Sequence, residues 1–110
     1  MANQQTELLK GTLDLLILKT LDLEPRHGVA VADRIAQITR GTFAVKAGSL
    51  FPALHRLEQE GFLEGEWGTT AEGRRAKFYR LTPAGRRQLG VEKRNWARIA
   101  GAIGSVLEAD

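Results

Sequence analysis

The chain contains no cysteine, which excludes disulfides and cysteine-ligated zinc and fits a reducing compartment. It also lacks any apolar run of 18 residues. The leucine-rich segment 13–23 is broken by Asp14, Lys19 and Asp22, so no membrane-spanning helix and no membrane partner are expected. The opening stretch MANQQTELLK has no basic-then-apolar order of a secretory leader, so the expected location is the cytoplasm. Signs of catalysis are equally scarce. The two histidines, His27 and His55, fall in different predicted elements, with no Ser-His-Asp or paired-carboxylate arrangement around them. The glycines at 65, 68 and 73 match neither a phosphate loop nor a dinucleotide fingerprint, and no H-E-x-x-H helix occurs. The expectation is a protein that is not an enzyme, with no metal and no cofactor.

What is present suits a single domain: 110 residues, 43% hydrophobic and 26% charged. The net charge of +3 is modest, but it is unevenly placed. Residues 73–98 carry nine basic side chains against one acid, Glu92, whereas the first 39 residues carry four basic and five acidic groups. Such a field attracts phosphate or another anionic surface; the alternative is a solvated helix face.

Periodicity divides the chain into helix, helix, helix, hairpin, helix. Residues 6–23 are apolar over more than half of a helical circumference: Leu9, Leu13, Leu16 and Ile17 form one stripe, and Leu8, Leu15 and Leu18 lie beside it. A helix apolar on two sides touches two partners, the core and a second subunit. Residues 24–28 (EPRHG) predict a turn. Residues 28–39 follow as a short helix with Val31, Ile35 and Ile38 inward, and residues 43–45 as an extended connector.

The stretch 47–62 (AGSLFPALHRLEQEGF) predicts a third helix running from Ser49 to Glu60. Ser49 would cap it, Pro52 would fall in its first turn, and Gly61 would give a left-handed exit. Leu50, Leu54 and Leu57 bury one side. The other side presents Lys46, Gly48, Ser49, Phe51, Pro52, His55 and Arg56. Two helices joined by a short glycine-containing connector, the second with a polar N-terminal end, form a helix-turn-helix pattern.

Beyond Gly61 the period changes to two. Leu63, Gly65 and Trp67 alternate with Glu64 and Glu66, residues 68–75 form a loop, and residues 77–81 form a second strand with Tyr79 and Leu81 inward. A hairpin directly after a helix-turn-helix is a wing. Thr82 and Pro83 then open a last helix, in which Leu89, Trp96, Ile99, Ile103 and Val106 fall on a seven-residue repeat interrupted by Glu92.

The candidate contacts divide by strength. Arg74, Arg75 and Lys77 are three cations near one loop tip, where packing gives no reason for them. Arg56 suits bidentate recognition of a phosphate or guanine, or an ion pair with Glu60 one turn on. His55 either donates to a phosphate or base edge or is a plain surface histidine. Phe51 is either an apolar contact for a thymine methyl or sugar, or core. The glutamates 58, 60, 64 and 66 read as solubilising.

These residues carry a family resemblance. Residues 48–61 (GSLFPALHRLEQEG) look like the recognition-helix signature of PadR-like transcriptional regulators. His27-Gly28, residues 74–82 (RRAKFYRLT) and Pro83-Ala84-Gly85 support it, and the likeness runs over residues 8–108. Two positions depart from the usual pattern: Phe51 stands where tyrosine is common, and Val29 where an aromatic is common. The resemblance implies a mostly α fold with a small β-hairpin. Residues 1–82 would form the winged helix-turn-helix DNA-binding domain and residues 83–110 a C-terminal dimerisation helix. It further implies a homodimeric repressor on an inverted-repeat operator in double-stranded DNA. The seam would be Leu89, Trp96, Ile99, Ile103 and Val106, and a small aromatic effector would contact Trp96. The rival reading is a winged-helix RNA-binding or protein-interaction adaptor without specific DNA readout.

Overall fold

The computed structural model describes residues 10–110. Four helices and three strands follow in the order α1 (Lys10–Leu23), β1 (Arg26–His27), α2 (Gly28–Ile38), α3 (Ala47–Gln59), β2 (Leu63–Thr69), β3 (Arg75–Leu81) and α4 (Pro83–Leu107). The expected start of α1 at residue 6, with Leu8 and Leu9, lies outside the described residues. Leu13, Ile17, Leu18 and Leu21 make α1 the centre of the core. The helix packs against α2, α3, α4 and β3, as its two-sided apolar surface requires.

Residues 24–28 were expected as a turn, but Arg26 and His27 form a short strand. They pair antiparallel with Tyr79 and Phe78, giving a three-stranded sheet in the order β1-β3-β2. The pairing uses the free edge of β3 and leaves His27 in extended backbone. From there its Nδ1 accepts from the Ala30 amide at 3.3 Å and caps α2. In α2, Val31 and Ile35 are buried, but Ile38 is exposed because the helix ends there. Arg40 and Gly41 both take positive φ, 53° and 81°, and turn the chain toward α3.

α3 begins two residues before the expected start. Its N-cap is Lys46, whose carbonyl accepts from the Ser49 and Leu50 amides at 3.0 and 2.9 Å, with no side-chain cap. Ser49 is therefore inside the first turn rather than capping it. Pro52 lies in the helix interior, not in its first turn. Its ring removes the amide that would bond to the Gly48 carbonyl, so that carbonyl stays unpaired in the helix ladder. The exit is as expected: Gly61 has φ of 84°, and the Phe62 amide reaches back to the Leu57 carbonyl at 3.0 Å.

The wing is longer and its loop shorter than the pattern indicated. β2 and β3 pair from Leu63↔Leu81 to Thr69↔Arg75. Thr70 closes the turn: its amide bonds to the Arg74 carbonyl at 2.8 Å, and Gly73 takes φ of 85°. α4 opens on Thr82, whose hydroxyl donates to the Gly61 carbonyl at 2.6 Å and accepts from the Gly85 amide at 3.0 Å. Its first turns press directly on the end of α3, since a Cβ on Gly85 would lie 2.1 Å from the Phe62 carbonyl oxygen.

Candidate nucleic-acid interface

The two sides of α3 differ as its periodicity implies. Leu50, Ala53, Leu54 and Leu57 enter the core, while Lys46, Gly48, Ser49, Pro52 and His55 are exposed. Phe51 is 43% exposed: its ring rests on the Gly28 backbone, and its outer edge faces solvent. Nothing lies within 4 Å of a Cβ built on Gly48, so this end of the helix is open to close approach. The helix N-terminus adds positive potential there.

Arg56 stands apart from this set. Its Nη2 donates to Asp14 Oδ1 of α1 at 2.5 Å, and its Nη1 donates to Glu60 Oε1 at 3.4 Å. The hydrogen bond to Asp14 raises the guanidinium pKa against the opposing effect of burial. The side chain thus points along α3 toward α1 and joins the two helices. Lys77 is similarly committed. It lies within β3 rather than at the loop tip, and its Nζ donates to Glu58 Oε1 of α3 at 2.8 Å, which raises its pKa. Glu64 pairs with Arg80 at 3.0 Å across the wing. Three of the four glutamates taken as solubilising, 58, 60 and 64, are therefore ion-paired within the chain.

The remaining wing cations are Arg74 and Arg75. Arg74 is exposed at the turn and makes no ion pair among the described residues. Arg75 places its guanidinium 4.9 Å from the centroid of the Trp67 ring, a cation–π stack that holds the charge at a set position. Trp67 was not among the expected site residues. Its only sequence signal is the alternation of Leu63, Gly65 and Trp67 with Glu64 and Glu66 in a half-buried strand, and it is exposed beyond the edge of the core. Together with Val29 and Phe51 it lines a cleft of about 410 Å³ between α2, α3 and the wing, with Arg75 among the lining residues.

On α4, Leu89 departs from the expected seam. It is 4% exposed and belongs to the core of its own domain. The seven-residue repeat cannot tell an intramolecular partner from a second copy. Trp96, Ile99, Ile103 and Val106 remain in water, with exposures from 45% at Ile99 to 74% at Val106. Trp96 and Ile99 border a groove of about 220 Å³ shared with Gly11, Thr12 and Leu15 of α1. Among the described residues there is no helix long and apolar enough to cross a membrane and no group of three or more ligating side chains able to hold a metal.

Comparison with known proteins agrees with this fold. The model of the "Transcriptional regulator PadR-like family" matches residues 17–91. The structure of a PadR family transcriptional regulator from Eggerthella lenta DSM 2243 superposes with a TM-score of 0.78 at 32% identity, covering 92% of this chain and 86% of that one. A PadR-like transcriptional regulator from Bacillus cereus strain ATCC 14579 superposes with a TM-score of 0.79 at 26% identity, over 96% of this chain and 100% of that one. Transcriptional regulator Rv3488 of Mycobacterium tuberculosis is 39% identical over 67 residues, 61% of this chain and 62% of that protein.

Proposed function

The chain belongs to the transcriptional regulator PadR-like family, and from that premise we propose that it is a cytoplasmic, homodimeric repressor that binds an inverted-repeat operator in duplex DNA. The observation that carries the reading is the α3 N-terminal end. It is anchored by four buried residues, open at Gly48 and flanked by the cations of the wing. In this reading Gly48, Ser49 and Pro52 approach base edges in the major groove, and Phe51 meets a thymine methyl or sugar. Lys46, His55, Arg74 and Arg75 take phosphates. Arg56 and Lys77 act indirectly: their ion pairs with Asp14 and Glu58 fix α3 against α1 and against the wing. A protruding recognition helix suits the wide major groove of B-DNA, whereas the deep, narrow groove of duplex RNA does not admit one.

The exposed apolar stripe Trp96, Ile99, Ile103 and Val106 supports dimerisation through α4, because such a stripe on a terminal helix is costly to leave in water. A two-fold axis would set the recognition helices about 34 Å apart and match an inverted repeat. A small aromatic effector would stack on Trp96 in the groove between α1 and α4 and lower DNA affinity by its differential binding to the two states.

Selection of bound sequences from random duplex DNA tests the reading and yields the operator. Arg74→Ala with Arg75→Ala should then weaken binding to all sequences and flatten the salt dependence by about 0.9 per lost phosphate contact. Unchanged binding by that variant at physiological salt would sink the wing assignment. Ile99→Glu should give monomers by light scattering, and a parent monomeric at micromolar concentration would remove both the seam and the palindrome. In Trp67→Phe the fluorescence reports Trp96 alone; a panel of planar aromatics that leaves it and operator affinity unchanged would dismiss the effector.

A further inference from the structure

The cleft between α3 and the wing is unusual in its lining. Val29, Phe51 and Trp67 are all exposed, large and apolar, yet they converge on one concavity instead of scattering over the surface. Arg75, stacked on Trp67, is the single lining cation without a carboxylate among the described residues, since Lys77 is held by Glu58. The combination is an apolar seat with one positioned positive charge.

We infer that this cleft seats the deoxyribose of one nucleotide, with the adjoining phosphate on Arg75, and that its apolar walls make the protein discriminate deoxyribose from ribose. The inference rests on the DNA-binding reading. If α3 enters the major groove and the wing tip enters the neighbouring minor groove, the intervening strand crosses the gap between Phe51 and Trp67. The groups that strand presents are phosphates and sugars. Deoxyribose offers a methylene at C2′, which the valine and aromatic walls accept. Ribose offers a hydroxyl there, a donor and acceptor that Val29 and Phe51 cannot satisfy and that Trp67 could meet only as a donor. His27 gives no acceptor, because its Nδ1 already receives the Ala30 amide. The one hydroxyl on the lining belongs to Tyr79, a residue 7% exposed. An unpaired hydroxyl in apolar surroundings weakens binding about tenfold.

The test is a substitution scan on a duplex selected from random DNA. One nucleotide at a time is replaced by its ribonucleotide and, separately, by its 2′-fluoro analogue, which shares the ribose pucker but has no hydroxyl. One or two adjacent positions per half-site should lose about tenfold with ribose and less than twofold with fluorine. Val29→Thr, which adds an acceptor at similar volume, should shrink the ribose penalty at those positions and nowhere else. Tyr79→Phe should leave it in place. A flat ribonucleotide scan, or equal losses with ribose and fluorine, overturns the sugar seat while the DNA reading stands. Failure of the parent to bind any duplex overturns the DNA reading itself.

Discussion

Arg56→Met isolates the junction that holds the recognition helix to the core. The substitution keeps the aliphatic stem and removes the guanidinium, leaving the Asp14 carboxylate with only 12% of its side chain exposed and no cation paired with it among the described residues. Removing one partner of a fully buried ion pair costs about 3–5 kcal/mol; with the Arg56 side chain 27% exposed, the expected loss is about 2–3 kcal/mol. For a domain of this size that lowers the melting temperature by about 9–13 °C. Urea unfolding at fixed protomer concentration reads it directly, because association would otherwise shift the midpoint.

The pairing itself is tested by a double-mutant cycle. Asp14→Leu alone should cost about 1–2 kcal/mol, since Arg56 keeps Glu60 and partial hydration. Asp14→Leu with Arg56→Met replaces both charges by apolar side chains and should return to within about 1 kcal/mol of the parent. The cycle would then show at least about 2 kcal/mol of coupling. DNA selection with Arg56→Met, well below its melting temperature, should recover the parent's preferred bases with uniformly weaker binding. The reasoning fails if Arg56→Met costs under about 0.5 kcal/mol, the singles add, and the preferred operator changes. That outcome would return Arg56 to the DNA surface.

Gly85→Ala should destabilise by about 2–3 kcal/mol, because its Cβ would meet the Phe62 carbonyl at 2.1 Å and α4 could relieve the clash only by shifting off the core; a stability within 0.5 kcal/mol of the parent would contradict that packing. Thr82→Val removes both the cap on Gly85 and the bond to Gly61, and should cost about 1–2 kcal/mol in the same assay. Alkaline pH acts through two groups. The Glu58 hydrogen bond raises the Lys77 pKa, so its contribution is intact below the usual lysine value and lost as pH climbs through the raised one. Burial raises the Tyr79 pKa, so the fold favours the neutral phenol and loses stability once pH passes the unfolded tyrosine value of about 10. Stability should decline above about pH 10, less steeply in Tyr79→Phe, and an identical slope in that variant would remove tyrosine from the account.

Much of this architecture was legible because it is written in local rules. The leucine spacing of α3, the left-handed Gly61 and the Thr82-Pro83 helix start each act within a few residues, and each appears where the pattern placed it. β2 also forms, but its alternation holds from Leu63 to Glu66 and fails at Trp67. The helix start at Lys46 was missed because a backbone carbonyl, not the nearby serine hydroxyl, closes the first turn. β1 was missed because two residues carry no periodicity; only the free edge of β3 makes them a strand.

The displaced site residues share a single cause. Arg56 and Asp14 are 42 residues apart, and Lys77 and Glu58 are 19 apart. A sequence pattern reports that a cation stands on a polar face, but not that a carboxylate from another element waits opposite. Long side chains make the ambiguity worse, since an arginine can turn its head back along the helix while its stem stays at the surface. The same holds for apolar residues. Leu89 and Trp96 occupy the same position in successive heptads, yet Leu89 meets the chain's own core and Trp96 meets solvent. The difference arises because the buried core ends along α4 between them, a fact of tertiary packing that no repeat encodes. Residues free of such committed partners are therefore the better candidates for external contact. By that criterion Arg74, Arg75, His55, Gly48, Ser49 and the apolar trio Val29, Phe51 and Trp67 outrank Arg56 and Lys77, whose charges already serve the fold.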